Sequence, residues 1–347
     1  MPSRPYVKLR DYQHFCRLGL PIFNLVSERA AMKMKNAIAL CVVALAGTMT
    51  AQQPVSISLP GNNVSRTTTF SDQYCSGFIN KDRIASKNMI GGGIDSPDTV
   101  RYNAGDFVFI MGENLKTGDK LSVIRELRDA NRYETYKGQY HMLKNVGQPY
   151  ADLGHVVILG HQNNAYIGKV EFSCDAILPG DELVPIMERA QVSYEVPTKF
   201  DRFPAPNKEL GARIVMAKDF DFFIGNGQKV YLNVGSKDGV KVGDYFRVTR
   251  DFSANLSSEV DALSYKSPLG DDTQRVEPMV DVGHHIPYPG HPVIKVKDFP
   301  RLALGELVVL NVTPTSSTAM VTFALQDMHA GDTAEKISGP NSVAEQK

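Results

Sequence analysis

LGHVVILGHQNNAYIGKVEFSCDAILPGD, from Leu153 to Asp181, and LGELVVLNVTPTSSTAMVTFALQDMHAGD, from Leu304 to Asp332, align without a gap at a constant offset of 151 residues. Identities fall at Leu153/Leu304, Gly154/Gly305, Val157/Val308, Leu159/Leu310, Val170/Val321, Phe172/Phe323, Gly180/Gly331 and Asp181/Asp332. These are apolar strand positions and terminal Gly-Asp turns, the pattern an internal duplication leaves. A second pair lies upstream. DFVFIMGENLKTGDKLSVIR (Asp106 to Arg125) matches KVYLNVGSKDGVKVGDYFRVTR (Lys229 to Arg250) with a two-residue gap, setting Gly112 against Gly235 and Gly118-Asp119 against Gly243-Asp244.

Each repeat therefore reads strand, Gly turn, short apolar piece, Gly-Asp turn, strand, variable insertion, Leu-Gly strand, loop, strand and a final Gly-Asp turn. Period-two apolar spacing, as in Val230, Leu232 and Val234, carries the strand assignments. Glycine takes positive φ without penalty and aspartate bonds nearby backbone, so Asp119, Asp181, Asp244 and Asp332 read as turn scaffold. Pushing the repeats back aligns CSGFI (Cys75 to Ile79) with GARIV (Gly211 to Val215). The expected fold is mainly β, two tandem small β-barrels near 74–190 and 211–337, since closure removes exposed sheet edges. A Pro-rich extended linker, 191–210, joins them. Helices should be few and short: Lys120 to Tyr136 runs from strand into helix character, and Leu256 to Leu263 forms a second candidate. Residues 52–73 read as a flexible segment, with Ser65 to Phe70 poorly structured, and 338–347 as a disordered tail.

The upstream chain carries an address. MKMKNAIALCVVALAGTMTAQQ, from Met32, has two lysines, an apolar run from Ala37 to Ala46 and a small-residue exit, the order of a secretory signal peptide over Met32–Ala51. Cleavage after Ala46 or Ala51 fits, with Ala51 preferred. The run is too short for a membrane-spanning helix, which needs about 20 residues. No transmembrane anchor is expected, and Cys41 lacks the context of a lipid-attachment site. Residues 1–31 read as an over-extended start. The exported chain keeps Cys75 and Cys174, which in an oxidising compartment predict one disulfide.

Lys+Arg 38 balances Asp+Glu 38, so no chain-wide attraction to nucleic acid exists. No phosphate-binding loop, nucleophile elbow or HExxH helix is present, and GGGID (Gly91 to Asp95) lacks the strand-loop-helix context a phosphate site needs. An enzyme is not expected, and no cofactor is implied. His284, His285 and His291 in VGHHIPYPGHPVIKV (Val282 to Val296) are the densest imidazole cluster. They read either as a zinc or copper ligand set or as a solvated Pro-rich loop. The insertions Asn131 to Tyr150 and Phe252 to Arg301 occupy the same place in both repeats, where recognition residues usually sit.

The run VYLNVGSKDGVKVGDYFRVTR, followed by LGELVVLNV, Ser317-Thr318-Ala319 and Gly331-Asp332, resembles the C-terminal barrel domain of the flagellar assembly protein T family, and more loosely other small envelope β-barrel proteins. The likeness implies a periplasmic, non-enzymatic protein; that family serves in a ring around the flagellar motor. This chain departs in carrying two such units and no further N-terminal domains, so the flagellar role does not carry over. The resulting expectation is a periplasmic or secreted assembly or interaction module of the bacterial cell envelope, its partner an envelope protein. The alternatives are a ligand-binding protein for peptidoglycan or another cell-wall glycan, and a metal-binding protein.

Overall fold

The computed structural model describes residues 56–59, 65–128, 134–136, 138–250 and 300–340. Within them lie two closed six-stranded antiparallel barrels and two short α-helices.

Barrel 1 is built from β4 (Met89–Gly93), β5 (Phe107–Met111), β6 (Lys120–Glu126), β7 (Gln148–Gln162), β8 (Ala165–Ser173) and β9 (Glu182–Pro185). Around the ring they run β4-β5-β8-β7-β6-β9, and β9 returns to β4. Barrel 2 uses β12 (Gly211–Ala217), β13 (Lys229–Leu232), β14 (Tyr245–Arg250), β15 (Leu302–Val312), β16 (Ser317–Ala324) and β17 (Thr333–Ile337) in the ring order β12-β13-β16-β15-β14-β17. Both rings shuffle their strands identically, so the duplication seen in the sequence is a duplication of topology. Even the irregularities repeat: β7 slips register after His155 and after Ile158, and β15 after Glu306 and after Val309, each pair 151 residues apart.

Alternation along the strands fills both interiors. Val108, Ile110, Val123, Val156, Ile158 and Val170 form the first core. The counterparts in the ring, Val230, Leu232, Val248, Leu307, Val309 and Val321, form the second; the strand pairings match Val108 with Val230 and Ile110 with Leu232, one residue away from the alignment that sets Gly112 against Gly235. Each such side chain contributes about 1.5–3 kcal/mol on full burial. Gly154 and Gly305 are needed where β7 and β15 cross the following strand: a Cβ would meet the carbonyl oxygen of Phe172 in one and of Phe323 in the other, both at 2.1 Å.

Several elements differ from the sequence reading. CSGFI does not match GARIV, because the strand equivalent to β12 is β4, and both break register at corresponding places, Ile90/Gly92 and Ile214/Met216. Phe78–Asn80 instead forms β3, which adds to the start of β7 outside the ring. Cys75 is the C-cap of α1 (Phe70–Tyr74) and not a strand residue. Ser65 to Phe70 is not loose. Arg66–Thr67 (β2) pairs with Ser193–Tyr194 (β10), Thr68 is buried, and Thr69 and Asp72 close a reciprocal capping box that starts α1. Likewise Ser56–Ser58 (β1), within the expected flexible segment, pairs with Lys199–Asp201 (β11). The linker is therefore extended but held, with Val192 and Phe200 buried against barrel 2. Lys120–Glu126 stays strand throughout, and the helix appears further on as α2 (Gln139–Val146). Leu256 to Leu263, the signal segment and residues 341–347 lie outside the described residues.

Candidate interaction surfaces

The Gly-Asp turns form a single repeated device. In each, glycine at φ between +88° and +102° turns the chain, and the aspartate carboxylate accepts the backbone N–H three residues before it: Lys116 to Asp119, Leu178 to Asp181, Lys241 to Asp244 and His329 to Asp332, at 2.7–2.8 Å. The backbone flanking the turn then clips a distant strand. Gly118 N–H donates to Ile158 while Ile158 donates back to Asp119; Gly243, Val309 and Asp244 repeat this. Gly180 and Asp181 clip Ile90, and Gly331 and Asp332 clip Ile214. Gly105-Asp106 makes the same clip on Val170, and Gly227-Gln228 on Val321, giving three per barrel. Gly112 and Gly235 act differently. Neither has positive φ; a Cβ there would strike the Asn88 side chain or the Thr313 carbonyl. The ten turn residues are thus structural.

Cys75 and Cys174 form a disulfide, with Cα atoms 5.5 Å apart. It ties the α1 segment to the end of β8. Beside it, Arg189 grips Asp152 at 2.7 and 3.1 Å, both side chains buried, while Asp152 also accepts Gly77 N–H and Arg189 donates to the Gln73 carbonyl. Phe70 and Tyr74 close over His155 and Phe172. Phe70 meets Phe172 edge-on at 4.9 Å; in barrel 2 the linker's Phe200 meets Phe323 in the same way at 5.1 Å.

The α1–β3 segment and α2 then reach across to barrel 2 and cover the outer face of β12, β13 and β16. Tyr231, fully buried, donates to the Ser76 carbonyl, Thr318 donates to that of Gly77, and Lys229 pairs with Asp72 at 2.7 Å. Burial works to raise the Asp72 carboxyl, but hydrogen bonds from Lys229 and Thr69 with the Lys229 charge outweigh it and hold it below the ordinary value. Gln139 donates to the Val215 carbonyl, and Val146, Met142 and Leu143 pack with Ile79, Val215, Met216 and Tyr231. Tyr136 lies over Gly331 and under the Arg213 guanidinium, 4.6 Å from its ring centre; burial pushes its hydroxyl up to about 12.

On barrel 1 the corresponding face is open among the described residues. Phe107, Phe109 and Met111 on β5 point away from the core, 41%, 39% and 48% exposed, with Met89 beside Met111 and Ile167 beside Phe109. The signal was in the sequence: FVFIM is apolar on both of its alternating faces, whereas one barrel has only one interior. A second apolar feature is the β12–β13 loop, where Phe222 and Phe223 are 61% and 70% exposed and Asp219 and Phe220 sit at positive φ. An open groove of about 390 Å³ lies between α2 and barrel 2, lined by His141, Asn145, Asn233, Lys237, Asp238 and Thr315 among others.

His284, His285 and His291 lie outside the described residues. Among the described residues no cluster of three or more His, Cys, Asp or Glu is placed to hold a metal ion, and no helix is long and apolar enough to cross a membrane. No protein-family description matches this sequence, and no curated protein is similar to it.

Proposed function

We propose that this chain is an exported, non-enzymatic assembly or interaction module of the bacterial cell envelope. The observation that carries the reading is the open apolar face of barrel 1, Phe107, Phe109, Met111 and Met89, on a rigid closed scaffold. Contiguous exposed apolar side chains on a soluble barrel are characteristic of protein docking surfaces. The signal-like segment at Met32–Ala51 and the Cys75–Cys174 disulfide favour an oxidising compartment outside the cytoplasm. The resemblance of the repeat to envelope barrels agrees in kind.

The groove beside α2, mostly apolar in its lining, supports a second reading, binding of a cell-wall glycan. Its asparagines, histidine and threonine offer the hydroxyl-matching donors and acceptors a saccharide uses.

Crosslinking in fractionated native cells separates the two. Recovery of the chain in the envelope fraction, joined to one or two proteins at fixed lysines, is the expected result. Recovery in the cytoplasm, or joined only to glycan, would remove the assembly reading.

A further inference from the structure

Phe107, Phe109 and Met111 alternate outward along β5, Met89 pairs with Met111, and Ile94 donates its N–H to the Phe107 carbonyl at 3.4 Å. These five side chains are 39–59% exposed, and among the described residues no element covers them. At about 200 Å² for a large apolar side chain, they present roughly 450 Å² of contiguous apolar surface, which on a soluble protein marks an interaction site.

The build of the face narrows what can sit on it. β5 is hydrogen-bonded to β4 on one side and to β8 on the other, so it has no free edge to which a partner strand could add. Contact must be made through side chains, flat face on flat face, as two sheets pack about 10 Å apart. The charges fit the same kind of partner. At the Met111 end Lys87 pairs with Glu113 at 3.2 Å, and beyond Phe107 Lys120 pairs with Glu171 at 3.0 Å, so apart from Lys169, which lies over the Phe107 ring, the rim is balanced. The whole chain carries no net charge. A strongly charged partner gains nothing from such a rim, whereas a second copy meets it without a large like-charge cost. Two copies face to face remove about 900 Å² from the patches alone, and the rim brings the total past the roughly 1,000 Å² that a specific interface must clear.

We propose that barrel 1 of one copy stacks its β5 face on the same face of a second copy, forming a closed two-fold dimer. Such a contact uses one patch on both sides, so it is satisfied at two chains and leaves neither face open. Phe109, in the middle of the outward row, lies nearest the two-fold axis. The inference rests on the assembly reading and names its partner.

The test uses the full chain. Sedimentation velocity over a concentration series is expected to pass from monomer to dimer and to stop there. Phe109→Asp, which adds a charge to an exposed outward position and spares the core, raises the concentration for half-association at least about tenfold. Phe107→Asp does the same, and Phe223→Asp, on the β12–β13 loop, leaves it unchanged. All three variants keep the wild-type circular dichroism spectrum. Mixing chains of natural and heavy nitrogen before lysine crosslinking gives mixed-isotope links between Lys87 and Lys169, which rim the patch, and none from the exposed Lys241 on barrel 2.

A chain that stays monomeric at the highest soluble concentration overturns the proposal, as do species that grow past the dimer, association that persists in both patch variants, or mixed-isotope links from Lys241. If the chain is monomeric while Lys169 captures a different envelope protein in cells, the dimer falls and the assembly reading stands. If only glycan is captured, both fall.

Discussion

Arg125, at the end of β6, grips both carboxylate oxygens of Asp181 at 2.7 Å and donates a further hydrogen bond to the Ala176 carbonyl. Barrel 2 repeats the arrangement: Arg250 grips Asp332 at 2.9 and 2.8 Å and donates to the Asp327 carbonyl. In both, the aspartate is the second residue of the last Gly-Asp turn and is almost fully buried. The clamp fastens the turn that leads into the closing strand of each ring.

Arg125→Ala should cost about 2–3 kcal/mol, the scale of hydrogen bonds to a charged group whose partner stays buried. Arg250→Ala should cost a similar amount. Urea unfolding followed by circular dichroism measures both, and a loss confined to one barrel would argue against equivalent clamps.

Cys75 and Cys174 close a loop of about a hundred residues, and paired replacement by serine should lower stability by about 2–4 kcal/mol. Alkylation of the denatured, unreduced protein should leave both cysteines unlabelled in peptide mass spectra. The same double variant should speed amide exchange in α1 more than in barrel 2, since the bridge anchors that segment to β8.

Arg247 and Glu306 pair at 2.7 Å, both almost wholly buried, and one oxygen of Glu306 and the Nε of Arg247 have no partner. Burial pushes the Glu306 carboxyl up despite the Arg247 charge. Glu306→Leu alone should cost about 3–5 kcal/mol by stranding the guanidinium, whereas Glu306→Leu with Arg247→Met should be neutral or stabilising. A double variant as unstable as the single one in thermal unfolding would contradict this.

Burial under Phe70 and Tyr74 pulls the His155 imidazole below its ordinary value, with Asp152 opposing the shift only in part. A depressed folded value means that this contribution to stability is complete above the unfolded value of about 6.5 and is lost as pH falls through the folded value. His155→Phe should therefore narrow the fall in unfolding temperature between pH 7.5 and pH 5. An unchanged fall would place the acid sensitivity elsewhere.

Much of this architecture was legible in the chain itself. Turn glycines, the aspartates after them and period-two apolar spacing are local signals, and they mark nearly every barrel strand; the disulfide followed from Cys75 and Cys174 being the two cysteines left after the signal-like segment. The start of the first repeat was misread because CSGFI and GARIV share composition without sharing a place in the ring. Likewise, Arg66–Thr67 and Ser56–Ser58 look unstructured in isolation because each is a short strand whose partner lies far along the chain.

By itself the sequence determined two copies of one barrel and their turns, and which side chains point inward wherever apolar and polar residues alternate along a strand; FVFIM, apolar throughout, left that open. Only the tertiary structure decided which outer face is used. Tyr231 and Phe109 look alike in their strands, but Tyr231 is sealed by Ser76, 155 residues away, and Phe109 faces solvent. Coverage of an outer surface depends on contacts between distant segments, and no local period encodes those.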